Sequence, residues 1–214
     1  MDEAPPPGKS RDSERSRESI LTAAEQLFAE HGYNSVSIQM IGERAGVSRG
    51  TPGYFFGSKE ALYAAVLERI FAAEFAFIGA ASGALSEHGS ATNLSDSLDA
   101  IIGGFIEFLA LRRNFVQLLD REALAGGALL RSSPAHIQSL DISRSISDSL
   151  LTSDQAQPVD PAAFILALVS MCWFPFTHAD TFAGPLGIDM AKQDDRERWR
   201  RFLVELVQNG IRSR

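Results

Sequence analysis

Three serines, an arginine and a lysine fall within one short stretch near the amino terminus: Ser37, Ser48, Arg49, Ser58 and Lys59. Each serine stands directly before a segment with helical apolar spacing. Serine hydroxyls and the free N–H groups of a helix start suit phosphate oxygens. An arginine facing guanine is worth about 1–3 kcal/mol of discrimination between bases. Together these residues point to recognition of nucleic acid rather than to bond making. No Ser-His-Asp arrangement, phosphate-binding loop or dinucleotide turn is present, and Asp/Glu pairs fall only on faces that read as solvated, so an enzyme is the weakest reading. The four histidines are scattered without carboxylate spacing, and neither a metal nor another cofactor is expected. The single cysteine, Cys172, excludes an internal disulfide and reads as core packing.

Bulk charge does not support this chemistry. The 214-residue chain carries a formal charge of −7, and its first 60 residues hold seven basic against nine acidic side chains. Only the local arrangement of charge can carry a nucleic-acid reading. The composition is that of a globular protein, and no apolar run reaches the ~18 residues of a membrane span. The longest, Phe164 to Phe176, is broken by Ser170 and Pro175. The opening MDEAPPPGKS lacks the pattern of a signal peptide, so a cytoplasmic protein is expected.

The elements that must position these residues are all helical. Residues 1–14 are rich in Pro and polar groups and read as a disordered arm. Within and beside it, Arg11, Arg15 and Arg17 fit either a reach to an adjacent groove or ordinary solvated charge. A first helix from Arg15 carries Ile20, Ala23, Ala24, Leu27 and Phe28 on one face and ends at Gly32. Ser37 caps a second with Ile38, Ile41 and Ala45 inward, closed by Gly46. Ser48 caps a third, very short helix to Phe56, and Ser58 caps a long fourth to about residue 80. Two short helices around a tight glycine turn make a helix-turn-helix, whose second helix projects its first residues into the major groove.

Residues 82–93 read as a connection, followed by helices over about 95–111, 114–124, 134–151, from Asp160-Pro161 onward, and 194–209. The expected fold class is all-α, with about nine helices: a helix-turn-helix domain over residues 15–60 and a helical ligand-binding and dimerisation domain over residues 61–214.

From Ile20 to Leu62 the chain resembles the DNA-binding domain of the TetR family, in the consecutive pieces ILTAAEQLFAEHGY, SVSIQMIGERAGVSRGT and YFFGSKEAL. The resemblance implies a phosphate contact for Ser37, a cap of the recognition helix for Ser48, and a groove-facing tip made of Arg49, Gly50 and Thr51. It implies sugar and phosphate contacts for Tyr54 and Phe55 and a backbone contact for Lys59, over a small core of Leu27, Phe28, Ile41, Val47 and Phe56. The departure is Pro52-Gly53, where the family more often has Leu-Tyr. Pro52, taken as the fourth helical residue, removes one backbone hydrogen bond, and Gly53 costs roughly 1 kcal/mol of helix propensity.

In the last helix Trp199, Phe202, Leu203, Leu206 and Val207 share one stripe, opposite Arg198, Arg200, Arg201, Glu205 and Gln208. The resemblance implies that the last two helices form a homodimer interface, setting two recognition helices about 34–36 Å apart on a palindromic double-stranded operator. Phe105, Phe108, Phe115, Trp173, Phe174 and Phe176 fit either an apolar cavity for a small-molecule effector or a filled core. His178 and Asp180 would supply polar contacts, and Pro175 a kink or an end to that helix. The expected protein is a ligand-responsive regulator, with repression implied by the resemblance. The alternative is a helical small-molecule-binding protein whose DNA binding is weakened or lost at Pro52-Gly53.

Overall fold

The computed structural model describes residues 7–87, 94–151 and 159–211. Among them there are ten α-helices and no strand: α1 (Pro7–His31), α2 (Ile38–Arg44), α3 (Thr51–Phe56), α4 (Lys59–Glu87), α5 (Leu94–Leu111), α6 (Arg113–Leu124), α7 (Ala128–Arg131), α8 (Pro134–Leu151), α9 (Pro161–Thr177) and α10 (Gln193–Ile211). A single π turn spans Ala179–Ala183. The all-α class holds. The short α7 and the π turn are additions, since neither is long enough to show an apolar period.

Two boundaries differ from expectation. Helix α1 starts at Pro7, so residues 7–14 of the expected arm are helical, with Asp12 and Arg15 paired at 3.6 Å one turn apart. Proline suits a first helical position because its missing N–H would have had no partner there. Residues 1–6 lie outside the described residues. Helix α4 runs on to Glu87, through the first half of the small-residue stretch expected to connect helices. Residues 88–93 of that stretch are outside the described residues.

The chain divides into two compact units, 1–70 with 117–133, and 71–116 with 134–214. In the first, Ile20, Ala24, Leu27 and Phe28 of α1 are buried at helical spacing, against Val36, Ile41 of α2, and Leu62 and Val66 of α4. Val47 and Phe56, expected in this core, are only half-buried. The end of α1 explains why residues 117–133 belong here. Gly32, at φ +77, turns the chain, and its N–H bonds Phe28 O at 2.9 Å. Arg121 then donates from Nε to Ala29 O at 2.6 Å and from Nη2 to Glu30 O. A cation on the last carbonyls of a helix satisfies orphan acceptors and opposes the negative end of the helix dipole.

In the second unit α5 packs on α9 and α10, and α8 on α9. Leu98, Ile102, Ile106 and Leu109 of α5 are buried, as are Leu203 and Val207 of α10 and Phe164, Leu168 and Cys172 of α9. Burial pushes the Cys172 thiol up to about 12, which keeps it protonated and inert. At Gly103 a Cβ would come within 2.6 Å of Arg200 Cδ, so that flexible side chain would have to shift. Asp160 caps α9 by accepting from Ala162 N at 2.9 Å, with Pro161 at the first position. Pro175 lies inside the last turn of α9, which ends two residues later at Thr177. Among the described residues no helix is long and apolar enough to cross a membrane.

Candidate nucleic-acid interface

The interface is built on α2, α3 and the first turn of α4. Ser37 caps α2 as expected, its Oγ accepting from Met40 N at 3.2 Å. The turn after α2 depends on two glycines. Gly46 sits at φ +69, where a side chain would be strained. Gly42 is buried, and a Cβ there would approach Ser48 O to 3.2 Å and Arg49 Cα to 3.3 Å. A side chain there would require those backbone atoms to give by a few tenths of an ångström. The role of Gly42 was hidden in the sequence, because its neighbour lies six residues ahead.

Helix α3 begins two residues later than its serine suggests. Its N-cap is Gly50, in a right-handed helical conformation, without a side-chain cap. Ser48 instead accepts Thr51 N on its carbonyl at 3.0 Å, while the Ser48 and Thr51 hydroxyls meet at 2.7 Å. Pro52 is therefore the second helical residue, not the fourth, and is buried. At that position no intrahelical donor is needed, so proline removes no hydrogen bond and its fixed φ suits the turn. The cost ascribed to Pro52 disappears; that of Gly53 remains.

Around this helix the expected residues are exposed or half-buried. Tyr54 is 85% exposed, with its ring edge-on to half-buried Phe55 at 5.4 Å. Arg49 is exposed and pairs with exposed Glu43 at 2.9 Å. Such a surface pair is worth little, so the guanidinium can be released to another acceptor at low cost. Ser58 caps α4, accepting from Ala61 N at 3.1 Å. Lys59 Nζ lies 4.2 Å above the Tyr33 ring, and Tyr33 Oη donates to Glu60 at 2.8 Å. Burial, reinforced by the Glu60 carboxylate, pushes the Tyr33 phenol up to about 12. The ring thus stays neutral and steadies the ammonium by a cation–π contact. Arg17 lies over the Phe56 ring at 5.1 Å.

The aromatic residues expected around an effector divide into two groups. Phe105, Phe108, Phe115 and Trp173 form a connected set of rings, with Phe108–Phe115 at 5.1 Å and Phe115–Trp173 at 5.6 Å. Phe71, Phe77 and His136 join them, Phe71 against both Phe115 and His136. Phe176 is half-buried outside this set. His178 is not part of it: its ring stacks on exposed Phe174 at 4.1 Å, beside exposed Phe182. Asp180 is exposed on the π turn.

The polar group within the second unit's interior was missed. Glu74 is buried and accepts from Ser139 Oγ at 2.8 Å. The available signal was its place in FAAEFAF, three residues from both Phe71 and Phe77 and so on their stripe. Burial raises the Glu74 carboxyl above its ordinary range, opposed by the serine bond. A carboxyl raised in the native state favours folding fully below its unfolded value and loses that advantage as pH rises through its native value. Glu74→Gln is therefore expected to raise the melting temperature at pH 7.5 but not at pH 4. An equal change at both pH values would contradict the burial effect.

The stripe on α10 also separates. Leu203 and Val207 are buried within the chain and Trp199 is half-buried, with Nε1 donating to Met171 O at 3.2 Å. Phe202 and Leu206 remain 51% and 48% exposed. Exposed Leu166 and Phe174 on α9 are of the same kind.

A helix-turn-helix with exposed residues at the tip of its second helix, joined to an all-helical unit, defines a helix-turn-helix transcriptional regulator. Residues 20–66 match the family model of bacterial regulatory proteins, tetR family, and residues 95–207 match that of the tetracyclin repressor-like C-terminal domain. The chain belongs to the TetR family of transcriptional regulators. It is 24% identical over 212 residues to the HTH-type transcriptional repressor NicS of Pseudomonas putida, covering 95% of this chain and 96% of that one. Over 62 residues, 29% of each chain, it is 42% identical to the HTH-type transcriptional regulator RutR of Escherichia coli. The fold is similar to that of a TetR-family regulator of Mesorhizobium loti, with a TM-score of 0.68, 22% identity and coverage of 94% and 98% of the two chains.

Proposed function

We propose that the protein is a homodimeric repressor that binds a palindromic operator and is released from it by a small, largely apolar effector. The observation that carries this reading is the start of α3: exposed Arg49 just before the helix, half-buried Thr51 at its first position and exposed Tyr54 within it, with a proline that costs the helix no bond. Ser37, Ser48, Gly50, Phe55 and Lys59 flank them and would hold the backbone, with Arg49 reading a base. Exposed Phe202 and Leu206 on α10 support the dimer, since apolar side chains in one stripe are covered at low cost by a second copy of the same stripe.

The connected rings of Phe105, Phe108, Phe115 and Trp173, with buried Glu74 and Ser139 nearby on α4 and α8, are the candidate effector site. An effector releases DNA only by binding more tightly to the arrangement whose recognition helices no longer match the operator. The name of NicS as a repressor favours repression over activation.

Selection from random duplexes, followed by affinity measurement at several salt concentrations, tests the reading. The expected outcome is a palindromic consensus with steep salt dependence. Absence of any enriched site would refute DNA recognition and leave a helical ligand-binding protein.

A further inference from the structure

The first unit contains a cleft of about 500 Å³ between the end of α1, the α1–α2 connection, α4 and the α6–α7 segment. It shares no residue with the ring set of the second unit. One wall is aromatic: Phe28, Tyr33 and Tyr63 meet with ring centroids 4.9–5.9 Å apart. Leu118, Leu124 and Leu129 add aliphatic lining. Leu124 is 89% exposed at the rim, an apolar side chain left in water unless something covers it.

The cleft also holds a buried charge. Glu122 is only 4% exposed and accepts from Tyr63 Oη at 2.8 Å through Oε1. A carboxylate has two oxygens and about four acceptor positions, and the tyrosine uses one of them. Arg121 and His31 also border the cleft, and both are directed elsewhere. Arg121 turns its guanidinium onto the Ala29 and Glu30 carbonyls, and His31 pairs with Glu30 at 3.5 Å. Burial and the Glu122 carboxylate both raise the Tyr63 phenol, so the ring beside the carboxylate remains neutral.

We infer that this cleft is a second ligand site, taking a small organic amine whose ammonium pairs with Glu122 and whose aromatic or alkyl body fills the space between the tyrosines and Leu124. The volume lies within the ordinary range for small-molecule sites, which is about 300–1,000 Å³. A charge-assisted bond to a buried carboxylate supplies orientation, and aromatic faces attract the cation. Uncharged compounds of the same shape would gain the apolar contacts alone.

The test uses the full chain and a matched probe series: benzylamine, phenethylamine and tryptamine against benzyl alcohol, 2-phenylethanol and tryptophol. The amines are expected to raise the melting temperature by about 2–4 °C at roughly five times their dissociation constant, and to bind at least about tenfold more tightly than their alcohols. Glu122→Gln is expected to erase that tenfold preference. Because removing a buried charge can disturb folding, a second variant is needed. Ala125→Trp places a large ring at an exposed rim position and is expected to abolish amine binding while leaving the ligand-free melting temperature within about 1 °C. Equal binding of amines and alcohols overturns the charge pairing. No amine binding at all, or full binding by Ala125→Trp, overturns the site.

Discussion

Replacing Arg49 and Lys59 together by alanine is expected to remove sequence-specific DNA binding while leaving the fold intact. Both side chains are partly or fully exposed, and their partners are a surface carboxylate and a ring face. Each such contact is worth at most about 1 kcal/mol to stability. On DNA the balance is different. An arginine on guanine contributes about 1–3 kcal/mol, and a dimer makes the contact twice. The expected loss at the selected operator is on the order of 10²–10³-fold. The single variants separate the roles: Lys59→Ala should weaken all duplexes alike and lower the salt slope by about two for a dimer. Arg49→Ala should instead relax the consensus at one position per half-site. Binding assays on operator and scrambled duplexes check both, and an unchanged consensus in Arg49→Ala would remove that residue from base recognition.

The second large effect lies far along the chain. Phe202→Glu with Leu206→Glu is expected to yield a monomer in sedimentation and to lower operator affinity on the order of 10²-fold or more, because two linked half-sites give way to one. Both positions are about half exposed in the protomer, so its helical signal is expected to persist. Leu203→Ala, one residue away, is expected to act on the fold instead. Leu203 is fully buried against its own chain, and its truncation costs about 2–5 kcal/mol, or roughly 5–15 °C of melting temperature. If the glutamate pair leaves the dimer intact, the α10 stripe is not the interface.

That contrast shows how far an apolar period can be read. The stripe Trp199, Phe202, Leu203, Leu206, Val207 is one face on a helical projection, yet α5 covers only part of its width. Which half faces inward depends on the position of another helix, and nothing local encodes it. The ring residues behaved similarly. Phe108, Phe115 and Trp173 come from three helices and meet, whereas His178, only five residues beyond Trp173, lies past the end of α9 on another face. Glu74 was passed over because a lone acid in an apolar run has no sequence partner; its serine is 65 residues away.

The features that the sequence determined by itself are those whose causes are local. Ser37 and Ser58 accept from backbone N–H groups three residues ahead, Gly32 and Gly46 turn the chain at positive φ, and Ile20, Ala24, Leu27 and Phe28 recur at 3.6-residue spacing. These are short-range interactions, so the helix-turn-helix and the all-α class were legible without coordinates. Tertiary structure decided the rest. Only packing shows that Ser48 bonds Thr51 rather than capping α3, that Pro52 thereby falls where no donor is needed, and that Arg121 closes the end of α1 from 91 or more residues away. The Arg121 contacts join residues distant in the chain, and the short Ser48–Thr51 pairing sits in a turn packed closely on Gly42, so the geometry of both exists only once the helices have docked.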